Sequence, residues 1–462
     1  MSDTIKLISP VDGSVYAERA ALDAVAVERV VTAARTAQTG WAATPLATRI
    51  DYCLKALDAL LAMNDDIVTE LAWQMGRPVR YGGEKGGLAE RTRYMASIAE
   101  TALANIERHD RPGFKRYLKM EPLGIVMVIA PWNYPYMTAG NAIFPALMAG
   151  NVVILKHAAQ TLLVGERYAA AFEKAGLPKG VFQNIVLTHE GTEALLGSGA
   201  IDHVNFTGSV AGGKAIERAL AGTFATMGLE LGGKDPALVR ADADLDYAIA
   251  NLVDGAFFNS GQCCCGIERI YVHESRYDAF VDGFVALTRD YKLGNPLDPD
   301  TTIGPMAQTR FATWVREQTE EAIRKGARAH IDLSAFPMDK AGTPYLAPQV
   351  LTNVNHQMSV MREESFGPVV GIMKVKDDAE AIQLMNDSPY GLTASIWTED
   401  AEAAETIGHQ IDTGTVFMNR CDYVDPGLVW TGVKDTGKGA ALSEIGFANL
   451  TRPKSYHLRL EH

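Results

Sequence analysis

The chain has 462 residues, 47% of them apolar and 21% charged, and a formal net charge of −13. Its length implies two or three domains around a large core, and without ~18 consecutive apolar residues it is not expected to span a membrane. The acidic balance argues against non-specific nucleic-acid binding. Five cysteines, an odd number and mostly clustered, point to a reducing compartment, the cytoplasm. The start, Met1-Ser2-Asp3-Thr4, carries no secretory pattern. The end, Leu460-Glu461-His462, reads as a tag remnant or a natural terminus.

From Ala24 to Leu61 the pattern is helical, and the polar stretch Arg108–Phe114 ends the N-terminal helical region. Lys115–Met120 mixes charged and apolar residues as a half-exposed strand does. Gly124–Ala130 is a continuous apolar run, the mark of a strand covered on both faces. After Pro131–Pro135 a helix runs to Ala149, and Asn151–Leu155 is a second buried strand. Val204-Asn205-Phe206 leads through the glycine-rich Gly208–Gly213 into a helix ending near Ala221. A further strand then reaches Leu229-Glu230-Leu231. Strands alternating with helices imply a parallel sheet with right-handed crossovers. Functional groups gather at the carboxyl ends of such strands, where Asn133, Lys156, Gly208 and Glu230 all fall. Beyond Gly232 the alternation continues, with strands at Arg269–Val272, Val369–Val375 and Gly391–Trp397 and a helix over Thr309–Lys325. Leu450–Arg459 reads as a tail strand able to add to a neighbouring subunit.

Asn259-Ser260-Gly261-Gln262-Cys263-Cys264-Cys265 holds three of the five cysteines. In an extended segment adjacent side chains diverge, so three consecutive thiols are not expected to meet on one metal ion, and no metal is called. The segment is either a turn presenting a nucleophilic thiol or a buried run of small, soft residues. Gly208–Gly213 suits a phosphate at a helix N-terminus but departs from G-x-G-x-x-G. Glu230 has three open readings: a ribose-binding acid, a desolvated general base, or a cap or ion pair with Lys234. Asn133 is an N-cap or an oxyanion donor. Lys156 and Glu364 read otherwise as a strand-end charge and a turn residue.

Seven segments in order resemble the aldehyde dehydrogenase superfamily across essentially the whole chain. They are Pro131-Trp132-Asn133, Lys156, Phe206-Thr207-Gly208-Ser209, Leu229–Lys234, Asn259–Cys264, Glu364–Pro368 and Gly414-Thr415-Val416. The resemblance implies an α/β fold with a Rossmann-like coenzyme-binding domain (1–112 and 123–231), a second α/β catalytic domain (232–446) and a small β oligomerisation arm (113–122 and 447–462). It implies oxidation of an aldehyde to the acid with NAD or NADP. Cys264 is then the nucleophile, Glu230 the base and Asn133 the oxyanion donor. Ile129, Trp132, Lys156, Phe206, Gly208, Ser209, Leu231, Glu364 and Phe366 are the implied coenzyme residues. Tyr134, Phe258, Val424 and Trp430 are the implied substrate tunnel. Cys263 and Cys265 are expected to point away from the aldehyde, and the assembly to be a homodimer or homotetramer.

Departures from the family pattern qualify this reading. Ala159 stands where NAD-preferring members often have a glutamate, so NADP is admitted. Ala142 and Ala441 replace a lysine and a glutamate that in some relatives relay the base's proton, so Glu230 is expected to exchange its proton directly with water. None of the four tunnel residues is cationic. Phe258 stands where succinate-semialdehyde enzymes commonly have an arginine, and Asn141 lies at another such site. An uncharged aliphatic or aromatic aldehyde is therefore the expected substrate. Two rivals remain: an acyl-CoA-forming enzyme, against which Glu230 argues, and a silent structural relative, against which the intact Cys264, Glu230 and Asn133 argue.

Overall fold

A computed structural model describes residues 3–460, so Glu461 and His462 of the tag-like ending lie outside the described residues. A six-stranded sheet runs in the order Gly437–Lys438, Thr226–Glu230, His203–Thr207, Ile125–Ala130, Val152–His157, Phe182–Ile185. All of its pairings are parallel except that of the short Gly437–Lys438 strand. Ile125–Ala130 is buried along its whole length, as its unbroken apolar run requires for a strand between two helical layers. The helix Pro135–Met148 follows, with proline at its first position, where the missing N–H has no partner to lose.

A seven-stranded sheet takes Arg328–Ala329, Gln349–Thr352, Val369–Val375, Ile267–His273, Asp235–Val239, Thr393–Trp397 and Thr415–Met418 in that order. Asp235–Val239 lies in the middle of this sheet although it contains Pro236. A proline normally argues against a central strand, but here the register shifts between Asp235 and Pro236 and absorbs it. The expected Gly391–Trp397 strand is split at Leu392, with Tyr390–Gly391 pairing instead to Val433–Lys434. The helical stretch Ala24–Leu61 is two helices, Ala24–Ala43 and Leu46–Leu61, parted at Pro45.

Lys115–Met120 lies inside the strand Phe114–Pro122, which pairs with Ile106–Arg108 and with the tail Thr451–Arg459. The tail pairs with Phe114–Pro122 of its own chain and forms the edge of that three-stranded sheet. Tyr117 and Tyr456, opposite each other in register, stack at 4.5 Å and lock this pairing. The carboxyl ends of Ile125–Ala130, His203–Thr207 and Thr226–Glu230 lie side by side in one sheet and bring Asn133, Gly208 and Glu230 to one edge.

Candidate active site

The cysteine segment is a turn, not an extended strand. After the helix Leu245–Phe257, three consecutive residues adopt positive φ: Asn259 (53°), Ser260 (58°) and Gly261 (69°). Such backbone is unfavourable for serine and is held by its surroundings. Ser260 Oγ donates to the Gly304 carbonyl at 3.0 Å, Asn259 Nδ2 donates to the Asn133 carbonyl at 3.2 Å, and Gln262 Oε1 accepts the Ala307 N–H at 2.8 Å. A Cβ on Gly261 would strike the Gly367 carbonyl. The reversal brings the three sulfurs within 4.8 Å of one another, with Cys263 and Cys265 Sγ 3.6 Å apart. The expectation that these thiols diverge is thus overturned, because it assumed extended backbone. The three titrate as a unit: hydrogen bonds from Cys264 and Cys265 pull the Cys263 thiol well down, and the same coupling pushes the other two up.

Two cavities meet at this turn. A tunnel of about 380 Å³ is lined by all three cysteines, the four expected residues Tyr134, Phe258, Val424 and Trp430, and Glu230. Cys263 and Cys265 therefore share the tunnel wall rather than pointing away. A cleft of about 250 Å³ is lined by Trp132, Gly208, Ser209, Glu364 and Phe366. Asn133, Thr207, Leu231 and Cys264 line both.

Asn133 is not an N-cap. Tyr134 holds that position, with no side-chain cap bond, while Asn133 Nδ2 donates to the Gln262 carbonyl at 3.2 Å, over the cysteine turn. Arg77, missed in the sequence, donates to the Asn133 carbonyl and to Asn259 Oδ1 at 3.2 Å, and is itself paired with buried Glu84 at 2.7 Å. One buried guanidinium thus ties Asn133 to the cysteine turn.

Glu230 ends its strand and accepts a hydrogen bond from Thr207 Oγ1 at 3.0 Å. Burial pushes its pKa up to about 7, against the lowering effects of Thr207 and Arg91. It does not pair with Lys234, whose ammonium is buried against Glu268 and donates to Ser365 Oγ at 2.9 Å. Glu268 in turn accepts the Ser365 and Phe366 N–H groups. This buried pair fixes the turn that carries Glu364. Burial also raises the Glu364 carboxyl to about 8, and it accepts the Gly233 N–H at 3.0 Å. Behind Glu230 lies a small cavity of about 20 Å³, lined also by Ala142, Thr138, Asn205 and Lys438.

The cleft fits a dinucleotide. The helix Val210–Leu220 opens on it, with Ser209 as N-cap accepting the Gly212 N–H and no acidic residue in the first turn to compete with a phosphate. A Cβ on Gly208 would meet the Phe206 ring and one on Gly232 would meet the Glu364 carboxylate, so a side chain at either position would displace a group of the site. Trp132 stacks on Phe311 at 5.2 Å and meets Phe366 edge-on at 5.5 Å, forming an aromatic wall to which Trp314 adds. Ile129 and Phe206 line the small cavity rather than the cleft. Lys156 stands beside Ile129 in register, outside both larger cavities, and burial lowers its pKa. Ala159 is exposed just beyond that strand.

The tunnel also contains a cation, contrary to expectation. Arg91 comes from the helix Lys85–Ala102, on the same side as the buried Leu88, Thr92 and Met95. A charge on that apolar stripe is the signal by which it could have been found.

The Aldehyde dehydrogenase family profile matches residues 1–456. An NADP-dependent succinate-semialdehyde dehydrogenase of Mycolicibacterium paratuberculosis is 33% identical over 416 residues, spanning 89% of this chain and 87% of the relative. An NAD-dependent aldehyde dehydrogenase of Sinorhizobium meliloti superposes with a TM-score of 0.95 at 32% identity, over 100% of this chain and 92% of that one. Betaine aldehyde dehydrogenase from Staphylococcus aureus, solved with NAD+, superposes at 0.93 with 27% identity, over 100% and 92% of the two chains. The chain belongs to the aldehyde dehydrogenase family and is an NAD(P)-dependent oxidoreductase that converts an aldehyde to the acid.

Proposed function

We propose that Cys264 is the nucleophile, Asn133 the oxyanion donor and Glu230 the base for hydrolysis. The observation that carries this is positional: of the three clustered thiols, Cys264 is the one that lines both the tunnel and the cleft. A carbonyl carbon bonded to its sulfur sits between the two cavities. The Cys264 thiolate adds to the aldehyde carbon to give a thiohemiacetal, whose oxygen takes hydrogen bonds from the Asn133 amide and the Cys264 backbone N–H. When bound in the cleft, the coenzyme supplies the hydride acceptor. What stays on Cys264 is a thioester. Glu230, poised near neutrality, takes a proton from the water that attacks it, and the acid leaves.

Gly208, Ser209 and the helix N-terminus would hold the pyrophosphate. Glu364 would take the nicotinamide ribose, Trp132, Leu231 and Phe366 would pack beside the nicotinamide, and Lys156 would reach the adenosine ribose, with Ile129 and Phe206 packed beneath. The test is to replace each clustered cysteine by alanine. Cys264→Ala should form no NAD(P)H and no acyl adduct by mass spectrometry. An active Cys264→Ala beside an inactive Cys263→Ala would overturn the assignment.

The same reading makes residues 1–112 and 123–231 a coenzyme-binding domain, 232–446 a catalytic domain, and 113–122 with 447–462 an arm. Supporting it, each of the first two units carries its own sheet, although Gly437–Lys438 returns to the first. A homodimer or homotetramer is proposed, because the edge strand Thr415–Met418 leaves Val416 and Met418 exposed. A cytoplasmic location accords with five unbridged cysteines.

A further inference from the structure

We propose that Arg91 and Asn141 form a carboxylate subsite in the tunnel wall, and that the substrates are short aldehydes bearing a carboxylate at the far end, ω-oxo acids. This deepens the catalytic reading above and rests on it.

One tunnel side chain, Arg91, points to such a ligand, and Asn141 stands beside it. Arg91 forms no ion pair among the described residues, and its Nε is buried without a hydrogen-bond partner. Asn141, on the helix Pro135–Met148, is 8% exposed, and its amide oxygen is likewise buried and unpartnered. The two helices meet where Leu88 packs on Gly140, which brings the following turn of one beside Asn141 of the other. Both residues line the cavity that contains Cys264 and Glu230. Of the nearby acids, Glu84 is held by Arg77 and the Met137 N–H, and Glu230 by Thr207.

Buried polar groups without partners are rare in folded proteins; the Arg91 Nε–H calls for an acceptor, while the Asn141 Oδ1 as placed calls for a donor. A guanidinium presents parallel N–H donors matched to the two oxygens of a carboxylate. An amide, turned about its last bond, adds NH2 donors to the same ligand. Besides Glu230, the tunnel is lined by the acids Glu90, Asp254 and Asp422, each of which keeps part of its surface open to solvent. Glu90 accepts from Tyr423 Oη at 2.6 Å, and burial raises the Asp422 carboxyl to about 7. These acids make a cationic aldehyde the rival ligand, which the test includes.

Binding is read without turnover on the Cys264→Ala enzyme, by calorimetry with butyrate, butyramide and butylammonium. Butyrate should bind at least about 30-fold more tightly than butyramide, roughly 2 kcal/mol. Arg91→Met should remove that margin and Arg91→Lys should restore part of it. Wild-type enzyme should prefer 4-oxobutanoate to its methyl ester by a similar factor in kcat/KM, which decides the matter even if Arg91→Met does not fold. Equal binding of butyrate and butyramide, a margin that survives Arg91→Met, or tighter binding of butylammonium would each overturn the subsite. Persisting oxidation by Cys264→Ala would instead overturn the catalytic reading.

Discussion

The cleft and the tunnel meet at Cys264 but are built from different material. The cleft sets backbone against an aromatic wall: a helix N-terminus at Ser209, the close-packed glycines 208 and 232 and a carboxylate tied to the Gly233 N–H face the rings of Trp132, Trp314 and Phe366. The tunnel is side chains from distant elements, with Arg91, Tyr134, Asn141, Phe258, Val424 and Trp430 contributed by four separate stretches of chain. Backbone donors suit a ligand common to many enzymes, since they survive most substitutions around them. Side chains can be exchanged one at a time, so the tunnel is where one member of the family can come to differ from another.

The largest expected effect lies on the tunnel side of that junction, at Glu230. Glu230→Gln should lower steady-state turnover by about 10²–10⁴-fold, while the first turnover still releases a burst of reduced coenzyme and leaves an acyl-enzyme. A missing burst would mean that Glu230 acts before hydride transfer. Because burial holds its carboxyl near 7, hydrolysis in the wild type should rise with pH through about 7 and level off above it, as the active form is the carboxylate. Thr207→Val removes a hydrogen bond that lowers this pKa and should move the profile toward higher pH.

Asn133→Ala comes next, at about 3 kcal/mol of barrier. It should slow acylation itself, so the burst of reduced coenzyme slows with the turnover. Turnover equal to the wild type in a folded variant would remove Asn133 from the site.

Much of the cleft can be read in the sequence because its parts are contiguous. Gly208–Gly213 and Leu229–Lys234 each place strand, turn and ligand-facing atoms within a few residues. Arg91 escaped because a tunnel wall depends on how a helix is rotated about its axis, which packing decides. The cysteine turn escaped because three successive left-handed residues, one of them a serine, are imposed by Gly304, Asn133 and Ala307 from elsewhere in the chain. Gly261 alone advertised such a conformation. The strand Asp235–Val239 also went unread, since only the register shift beside Pro236 lets it lie inside a sheet.

A smaller effect tests the cleft. Ala159 is exposed past the strand that carries Lys156, and Ala159→Glu would set a carboxylate where a 2′-phosphate would approach. The ratio of kcat/KM for NADP to that for NAD should fall by about 10-fold, or roughly 1.4 kcal/mol. An unchanged ratio would mean that the coenzyme is selected elsewhere.

The smallest effect is expected behind the base. The cavity of about 20 Å³ beside Glu230 has room for about one water, with Thr138, Asn205 and Lys438 as polar lining. Ala142 leaves that space open. Such a water would accept the proton that Glu230 takes up in hydrolysis, so no side-chain relay is needed there. Ala142→Leu fills the space and should slow hydrolysis severalfold while leaving the burst intact. The added bulk also abuts Glu230, so the pH profile separates two causes. A slower rate with the midpoint still near 7 reports a blocked proton exit, whereas a midpoint displaced upward reports a more deeply desolvated base. If hydrolysis is as fast as in the wild type, the proton leaves Glu230 through the tunnel instead.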